Sequence, residues 1–162
     1  MKSIPSILFV CMGNICRSPS AEIIWHSKLS ELVGKEEFAC DSAGTIAYHA
    51  GEAPDQRMQA ALQKAGYCPF GRARSVTSED LDQFDLILAM DEDNLQKIRQ
   101  RFGNRPEVDQ KVHLFCEFTG IRNAREVPDP YYGGPEGFKH VIELIETGCD
   151  NLISNLEISK TS

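Results

Sequence analysis

One stretch limits the possible folds of this chain more than any other. Residues 7–20 read Ile-Leu-Phe-Val-Cys-Met-Gly-Asn-Ile-Cys-Arg-Ser-Pro-Ser. The four apolar residues at its start predict a buried strand. Pro19 is favoured at the first position of a helix, and Ser18 before it is a preferred N-cap residue. The stretch therefore predicts a strand, a tight loop and a helix start, whose backbone N–H groups can bind an anion.

The side chains of this loop add reactive chemistry to the anion site. Cys11 directly follows the strand, at the mouth of the site, where its thiolate would be stabilised. Arg17 has a planar guanidinium that can hold two phosphate oxygens. Gly13 lets the backbone approach the anion closely. A thiol nucleophile, backbone donors and an arginine together predict attack on a bound phosphate ester.

The rest of the chain alternates strand patterns with helix patterns. We expect the four strands at residues 4–10, 38–43, 84–90 and 111–118. We expect the helices at residues 18–33, 55–66, from 77 (a short one), 91–102 and 138–156. This order predicts an α/β fold of three layers, a doubly wound parallel sheet with helices on both faces. Ligands of such sheets bind outside the carboxyl ends of the strands, which is where Cys11 lies. The long loop at 119–135 exceeds the ~12–15 residues beyond which loops of a compact domain are usually functional or disordered.

Composition sets further limits on the class of protein. A chain of 162 residues predicts a single domain over residues 1–162, which we expect to be a monomer. The net charge of −7 argues against nucleic-acid binding, and no apolar run approaches the ~20 residues that span a membrane. Six cysteines without a secretory signal indicate reduced thiols and a cytoplasmic location. None of them has the spacing of a zinc site, so we expect no metal.

The string Val10-Cys11-x-Gly13-Asn14-x-Cys16-Arg17-Ser18-Pro19 resembles the signature of the low-molecular-weight protein tyrosine phosphatases. The string Asp129-Pro130-Tyr131-Tyr132 matches a second feature of the family, and residues 41–45 and 90–95 extend the likeness over most of the chain. The resemblance implies a four-stranded sheet with a phosphate-binding loop after the first strand. It also implies hydrolysis of phosphotyrosine in proteins through a cysteinyl-phosphate, without a cofactor, and inhibition by phosphate or other oxyanions.

The resemblance implies a role for each candidate site residue. Cys11 would be the nucleophile, Arg17 would bind the equatorial phosphate oxygens, and Asp129 would be the general acid. Two walls of tyrosine would form a slot for a flat phenyl phosphate, which favours phosphotyrosine over phosphoserine. The expected substrate-binding residues are Met12, Gly13, Asn14, Ile15, Cys16, Ser18, Tyr48, Tyr131 and Tyr132.

Further residues would support the phosphate loop. By resemblance, Ser18 donates a hydrogen bond to the Cys11 thiolate, and Asn14 braces the loop with Ser42 as its partner. Many relatives carry a histidine in this network where the present chain has Gly71. The resemblance also implies a redox role for Cys16, which could capture oxidised Cys11 as a disulfide.

Two other functions are compatible with parts of the pattern. An arsenate reductase on the same scaffold would use the same loop, but such enzymes usually carry a close downstream cysteine pair. Cys68 and Cys116 are 48 residues apart and do not form one. A non-catalytic phosphate-binding module would be expected to lack the nucleophile or the acid, and both are present in this sequence.

Overall fold

The sheet that organises the protein is seen in a computed structural model, which describes residues 3–131 and 134–161. Its strands are β1 (Ile7–Cys11), β2 (Cys40–Gly44), β3 (Leu86–Ala89) and β4 (Val112–Leu114), all parallel, in the order β2-β1-β3-β4. The expected α/β class and the four-stranded parallel sheet are confirmed. Because β1 lies between β2 and β3, Cys11 leaves the sheet at the middle of its carboxyl edge.

Helices cover both faces of this sheet. A short 3₁₀ turn, Lys35–Glu37, leads into β2. The α-helices are α1 (Arg17–Leu32), α2 (Gln56–Lys64), α3 (Ser78–Gln83), α4 (Glu92–Phe102), α5 (Pro106–Lys111), α6 (Phe115–Phe118) and α7 (Pro135–Asn155).

The apolar run of β1 is continuous because both of its faces are buried. Ile7 and Phe9 belong to a core cluster with residues of α1, α2 and α7. Leu8 and Val10 belong to a second cluster, with residues of α3, α4 and α5. The expected three-layer arrangement is therefore present, and the central strand supplies side chains to both layers.

Helix caps fix two of the turns beside the carboxyl edge. Asp91 follows β3 and accepts a hydrogen bond from the Asn94 backbone N–H at 2.8 Å, as expected for an N-cap of α4. Asp55 caps α2 in the same way, with the Arg57 N–H at 2.8 Å. Both carboxylates thus start helices close to the phosphate loop.

The expectation of a fourth strand over residues 111–118 is wrong in its second half. The strand ends at Leu114, and Phe115–Phe118 forms α6, whose end is fixed by the Thr119 N–H bonding to the Phe115 carbonyl. β4 pairs with β3 alone, so only three residues gain ladder hydrogen bonds. Helix α5 was not predicted either, although Pro106 at its first turn was an available signal.

Within residues 3–131 and 134–161, every helix is too short or too polar to cross a lipid bilayer.

Candidate functional site

The loop after β1 folds back toward β2 and α2. The Thr45 and Ile46 N–H groups donate to the carbonyls of Cys11 and Met12 at 2.9 and 3.2 Å. The Asp55 N–H donates to the Ile15 carbonyl at 2.8 Å. These bonds occupy carbonyls of the loop, which leaves its N–H groups and the positive end of α1 for an anion.

Asn14 holds the loop from inside. It has a left-handed backbone with φ of 57°, which asparagine tolerates better than most residues. Its buried side chain donates to the Ser18 hydroxyl at 2.8 Å and accepts from the Arg74 N–H at 3.0 Å. Asn14 therefore connects the loop to α1 and to the segment that carries Arg74, and its bracing role stays a prediction. Its partners differ from the expected one.

Ser42, the expected partner of Asn14, is directed elsewhere. Its hydroxyl donates to the Glu22 carboxylate at 2.7 Å, on the side of β2 that faces α1. Burial, partly offset by this hydrogen bond, raises the pKa of Glu22 to about 7. The proposed Asn14–Ser42 pair is thus corrected: Arg74 supplies the contact through its backbone, three residues after Gly71.

Ser18 was expected both to cap α1 and to face the thiol. The helix begins at Arg17, Cys16 occupies the N-cap position, and no side chain caps it. The buried Ser18 hydroxyl lies 3.0 Å from the Cys11 sulfur, where either atom can be the donor. The capping prediction is wrong because this hydroxyl is engaged with Cys11 and Asn14.

Arg17 is almost fully buried, with 3% of its surface exposed. Its Nη1 donates to Asp91 Oδ2 at 2.5 Å and to the Val127 carbonyl at 3.1 Å. Burial alone would lower the pKa of the guanidinium, but Cys11, Asp91 and Asp129 outweigh that effect and raise the pKa. The guanidinium is therefore a permanent positive charge fixed in one orientation.

Asp129 reaches the same guanidinium from the loop after α6. Its Oδ2 lies 3.8 Å from Arg17 Nη2, and its Oδ1 accepts the Tyr131 N–H at 3.0 Å. Asp129 keeps 35% of its side chain exposed. Its carboxylate can therefore reach both a bound leaving group and water.

A cleft of about 310 Å³ brings most of the candidate residues together. Asn14 and Ser18 lie behind its wall, Ser42 lies farther away, and Tyr132 lies outside the described residues. The cleft is lined by Cys11, Met12, Gly13, Ile15, Cys16, Arg17, Ile46, Tyr48, His49, Asp129 and Tyr131.

The mouth of the cleft is largely apolar and aromatic. Tyr48 is 83% exposed, and Met12, Ile46 and Tyr131 also keep a third or more of their surface accessible. His49 lies against the loop: a Cβ atom built on Gly13 would come within 3.0 Å of its ring. Glycine at position 13 therefore allows the phosphate loop and the His49 ring to lie side by side.

Cys16 lies in the same cleft as a free, buried thiol. Burial, followed by the charges of Asp55, Cys11 and Asp129, raises the pKa of this thiol far above its ordinary value. Cys16 is therefore a poor nucleophile in this state.

The sequence reasoning missed several residues of the site. Asp91 was assigned only as a helix cap, although it directly follows a strand at the carboxyl edge, where ligand sites of such sheets form. Ile46 and His49 lie within two residues of Tyr48, which was expected at the site, so that neighbourhood was an available signal. Arg74 acts through its backbone N–H, so its side chain gave no signal. Within the part of the chain that the structure describes, no group of three or more His, Cys, Asp and Glu residues could hold a metal ion.

Comparisons with known proteins agree on one family. The model of the family "Low molecular weight phosphotyrosine protein phosphatase" matches residues 6–162. A Synechocystis protein, named as a candidate low molecular weight protein-tyrosine-phosphatase, is 49% identical over 150 residues, which cover 93% of this chain and 95% of that protein. The crystal structure of a protein tyrosine phosphatase from Entamoeba histolytica has a TM-score of 0.88 and 42% identity, covering 95% of this chain and 97% of that one.

Two further solved neighbours have a different stated activity. An arginine phosphatase from Drosophila and another from Geobacillus stearothermophilus each have a TM-score of 0.82, with 29% and 28% identity. They cover 94% and 95% of this chain, and the chain covers 97% and 94% of theirs. The scaffold therefore serves more than one phosphate-bearing side chain.

Proposed function

The chain belongs to the low molecular weight phosphotyrosine protein phosphatase family, and we propose that it hydrolyses phosphotyrosine by attack of the Cys11 thiolate. One observation carries this proposal: Cys11, Arg17 and Asp129 line one cleft of about 310 Å³, and Arg17 lies 3.8 Å from Asp129. A nucleophile, a fixed cation and an accessible carboxyl are the three groups that the reaction requires.

In the first step the Cys11 sulfur bonds to phosphorus while the bond from phosphorus to the phenolic oxygen breaks. The loop N–H groups and the Arg17 guanidinium stabilise the charge on the equatorial oxygens. Asp91 and the Val127 carbonyl hold that guanidinium, so little reorganisation is needed as the charge develops. Asp129, protonated at this stage, gives its proton to the leaving phenolate.

In the second step water hydrolyses the cysteinyl-phosphate. Asp129, now a carboxylate, takes a proton from that water, and the Ser18 hydroxyl at 3.0 Å stabilises the departing Cys11 thiolate. Each group required for both steps is a side chain or backbone group of the chain, so the reaction as drawn uses no cofactor.

The rim of the cleft favours an aryl substrate over phosphoarginine. Met12, Ile46, Tyr48 and Tyr131 offer apolar and aromatic surface on which a phenyl ring can stack. The guanidinium group of phosphoarginine would gain no charge pairing from these four uncharged side chains.

The test is steady-state hydrolysis of para-nitrophenyl phosphate under reducing conditions, beside phosphotyrosine and phosphoarginine peptides. We expect activity on the first two, abolished by Cys11→Ser and reduced at least tenfold by Asp129→Ala. Full activity of Cys11→Ser would refute the mechanism. If the folded wild type hydrolysed only the phosphoarginine peptide, the chain would be an arginine phosphatase.

We also propose a redox role for Cys16. A peroxide would oxidise the Cys11 thiolate to a sulfenic acid. Cys16 would then attack that sulfur and release water, which leaves a disulfide that a thiol reductant can reopen. After peroxide treatment, Cys16→Ser should recover less activity with reductant than wild type, and equal recovery would contradict this role.

The cellular setting is a further proposal. We infer that residues 1–162 act as one monomeric domain in the cytoplasm on phosphotyrosine-containing proteins, with phosphate and other oxyanions as competitive inhibitors. The free thiols of all six cysteines fit a reducing compartment.

A further inference from the structure

A second concave surface lies beside the catalytic cleft, between α2 and α7. It is a groove of about 650 Å³, roughly twice the volume of the cleft. Its floor is formed by Phe138 and Ile142 of α7, and its wall by Ala60, Ala61 and Ala65 at the end of α2. The small alanine side chains leave open the space that larger residues would fill. A volume of this size can hold a large side chain and its neighbours.

The Arg57 side chain contacts one aromatic ring of the cleft and one of the groove. The Arg57 guanidinium carbon lies 5.1 Å from the ring centre of Tyr131, which lines the cleft. The same carbon lies 4.8 Å from the ring centre of Phe138, which lines the groove. A protein segment bound at the cleft can therefore continue into the groove by passing over Arg57.

The dimensions match those of a peptide bound at the cleft. An extended segment advances about 3.3 Å per residue, so a side chain two or three residues from the phosphotyrosine lies roughly 7–10 Å along the chain. The two contacts of Arg57 place the ring centres of Tyr131 and Phe138 no more than about 10 Å apart, which is within that reach. A residue close in sequence to the phosphotyrosine can thus place its side chain in the groove.

The chemistry of the groove favours an apolar side chain. Its floor and wall are hydrocarbon, whereas its rim carries both signs of charge, with Lys64 and Lys139 opposing Glu136 and Glu143. A charged ligand group would gain little from such a mixed rim and would lose hydration on the apolar floor. Apolar surface that is removed from water there contributes favourably to binding.

We propose that this groove is a docking subsite for an apolar residue, such as leucine, that flanks the phosphotyrosine of the protein substrate. The proposal rests on the proposed function, because it takes the cleft as the site of the phosphotyrosine. The groove selects among phosphotyrosine-containing proteins, and para-nitrophenyl phosphate is too small to reach it.

The test uses phosphotyrosine peptides with alanine at the flanking positions, each with a single leucine placed from three residues before to three residues after the phosphotyrosine. For wild type we expect roughly tenfold higher kcat/KM when leucine occupies one or two of these positions. Ala60→Glu should remove this preference, since it puts a charge against the apolar floor. Ala60 is exposed and glutamate is a strong helix former, so α2 should persist.

The matched control is Gln63→Glu, which adds the same charge at an exposed position of α2 outside the groove. It should keep the leucine preference. The subsite is refuted if wild type shows no leucine preference at any position, or if Ala60→Glu keeps it. Hydrolysis of para-nitrophenyl phosphate by each protein reports the folded cleft, so an inactive wild type would count against the proposed function.

Discussion

The two halves of the catalytic cleft are held in very different ways. The phosphate loop, residues 12–16, is tied through its backbone carbonyls to Ile46 and Asp55 and through Asn14 to Arg74. The acid-bearing loop, described over residues 119–131, is held near Asp129 by Val127, whose N–H donates to the Met90 carbonyl and whose carbonyl accepts from Arg17, and by the buried Pro130.

Between these two buried residues, Pro128 and Asp129 are exposed to solvent. Asp129 is turned toward the cleft by the Tyr131 N–H, and Arg57 lies on the Tyr131 ring. The difference follows from the chemistry of the two halves. Donors that stabilise charge act best when they are fixed in advance, whereas a group that exchanges protons with a leaving group and with water must stay accessible.

The fixed half should be the more sensitive to substitution, and Arg17→Lys tests this most strongly. Lysine keeps the charge but loses the planar fork that binds two oxygens and contacts Asp91 and Val127 together. We expect kcat/KM for para-nitrophenyl phosphate to fall about 10³-fold. The control Arg125→Lys changes an exposed arginine and should stay near wild type. A loss below tenfold would mean that the rigid geometry of Arg17 is unimportant.

The accessible half is tested by Asp129→Asn with two leaving groups. Asparagine cannot donate the proton, so kcat/KM for phenyl phosphate should fall about 10²-fold. The loss for para-nitrophenyl phosphate should be smaller, because nitrophenolate leaves more readily without a proton. The exposed Asp93→Asn serves as control. Equal losses for the two substrates would contradict the role of Asp129 as general acid.

Arg57→Ala should affect the accessible half alone. Loss of the guanidinium from the Tyr131 and Phe138 rings should loosen the acid-bearing loop and lower kcat/KM for phenyl phosphate about tenfold, and for para-nitrophenyl phosphate less. The kcat/KM of Arg57→Lys for phenyl phosphate should lie between those of Arg57→Ala and wild type, because lysine keeps the positive charge beside Asp55.

The reactivity of Cys11 provides an internal control for the experiment with Arg57→Ala. The rate at which iodoacetamide alkylates Cys11 should be unchanged in Arg57→Ala, because Asp55 holds the phosphate loop through its backbone N–H and not through the carboxylate that Arg57 binds. A slower alkylation would show that the two halves of the cleft are coupled.

Much of this arrangement was predictable because its determinants are local in sequence. The run from Ile7 to Val10, the glycine and the arginine of the loop, and the Asp91 cap each lie within a few residues of the structure they form. The parallel sheet then follows from the alternation of strands and helices, and it places Cys11 at the carboxyl edge.

The parts that could not be predicted depend on distant contacts. The partner of Asn14 lies 60 residues away and acts through its backbone, so no side-chain pattern reveals it. Alternate residues of a strand point to opposite faces of the sheet. The position of Ser42 in β2 therefore decides which face its side chain takes, and it takes the face where Glu22 lies. β4 ends early because, in the described sheet, it pairs with β3 on one side only. The sequence of β4 alone does not reveal that it is an edge strand.

The smallest effect on catalysis, but a clear one on stability, is expected from Glu22, which joins α1 to β2 through Ser42. Its pKa is raised from 4.5 to about 7 in the folded protein, first by burial. Between these two pH values the folded state holds a proton that the unfolded chain has lost. This contribution to stability is therefore complete below pH 4.5 and is lost as the pH rises to about 7, up to about 3 kcal/mol.

Glu22→Gln should remove that pH dependence. The Ser42 hydroxyl can still donate to the glutamine oxygen, and no charge is buried at high pH. The free energy of unfolding from urea titrations should exceed that of wild type at pH 8 and approach it at pH 5. The control Glu31→Gln, at an exposed position of α1, should keep the wild-type pH slope. If Glu22→Gln kept that slope as well, the pH dependence of stability would not arise from Glu22.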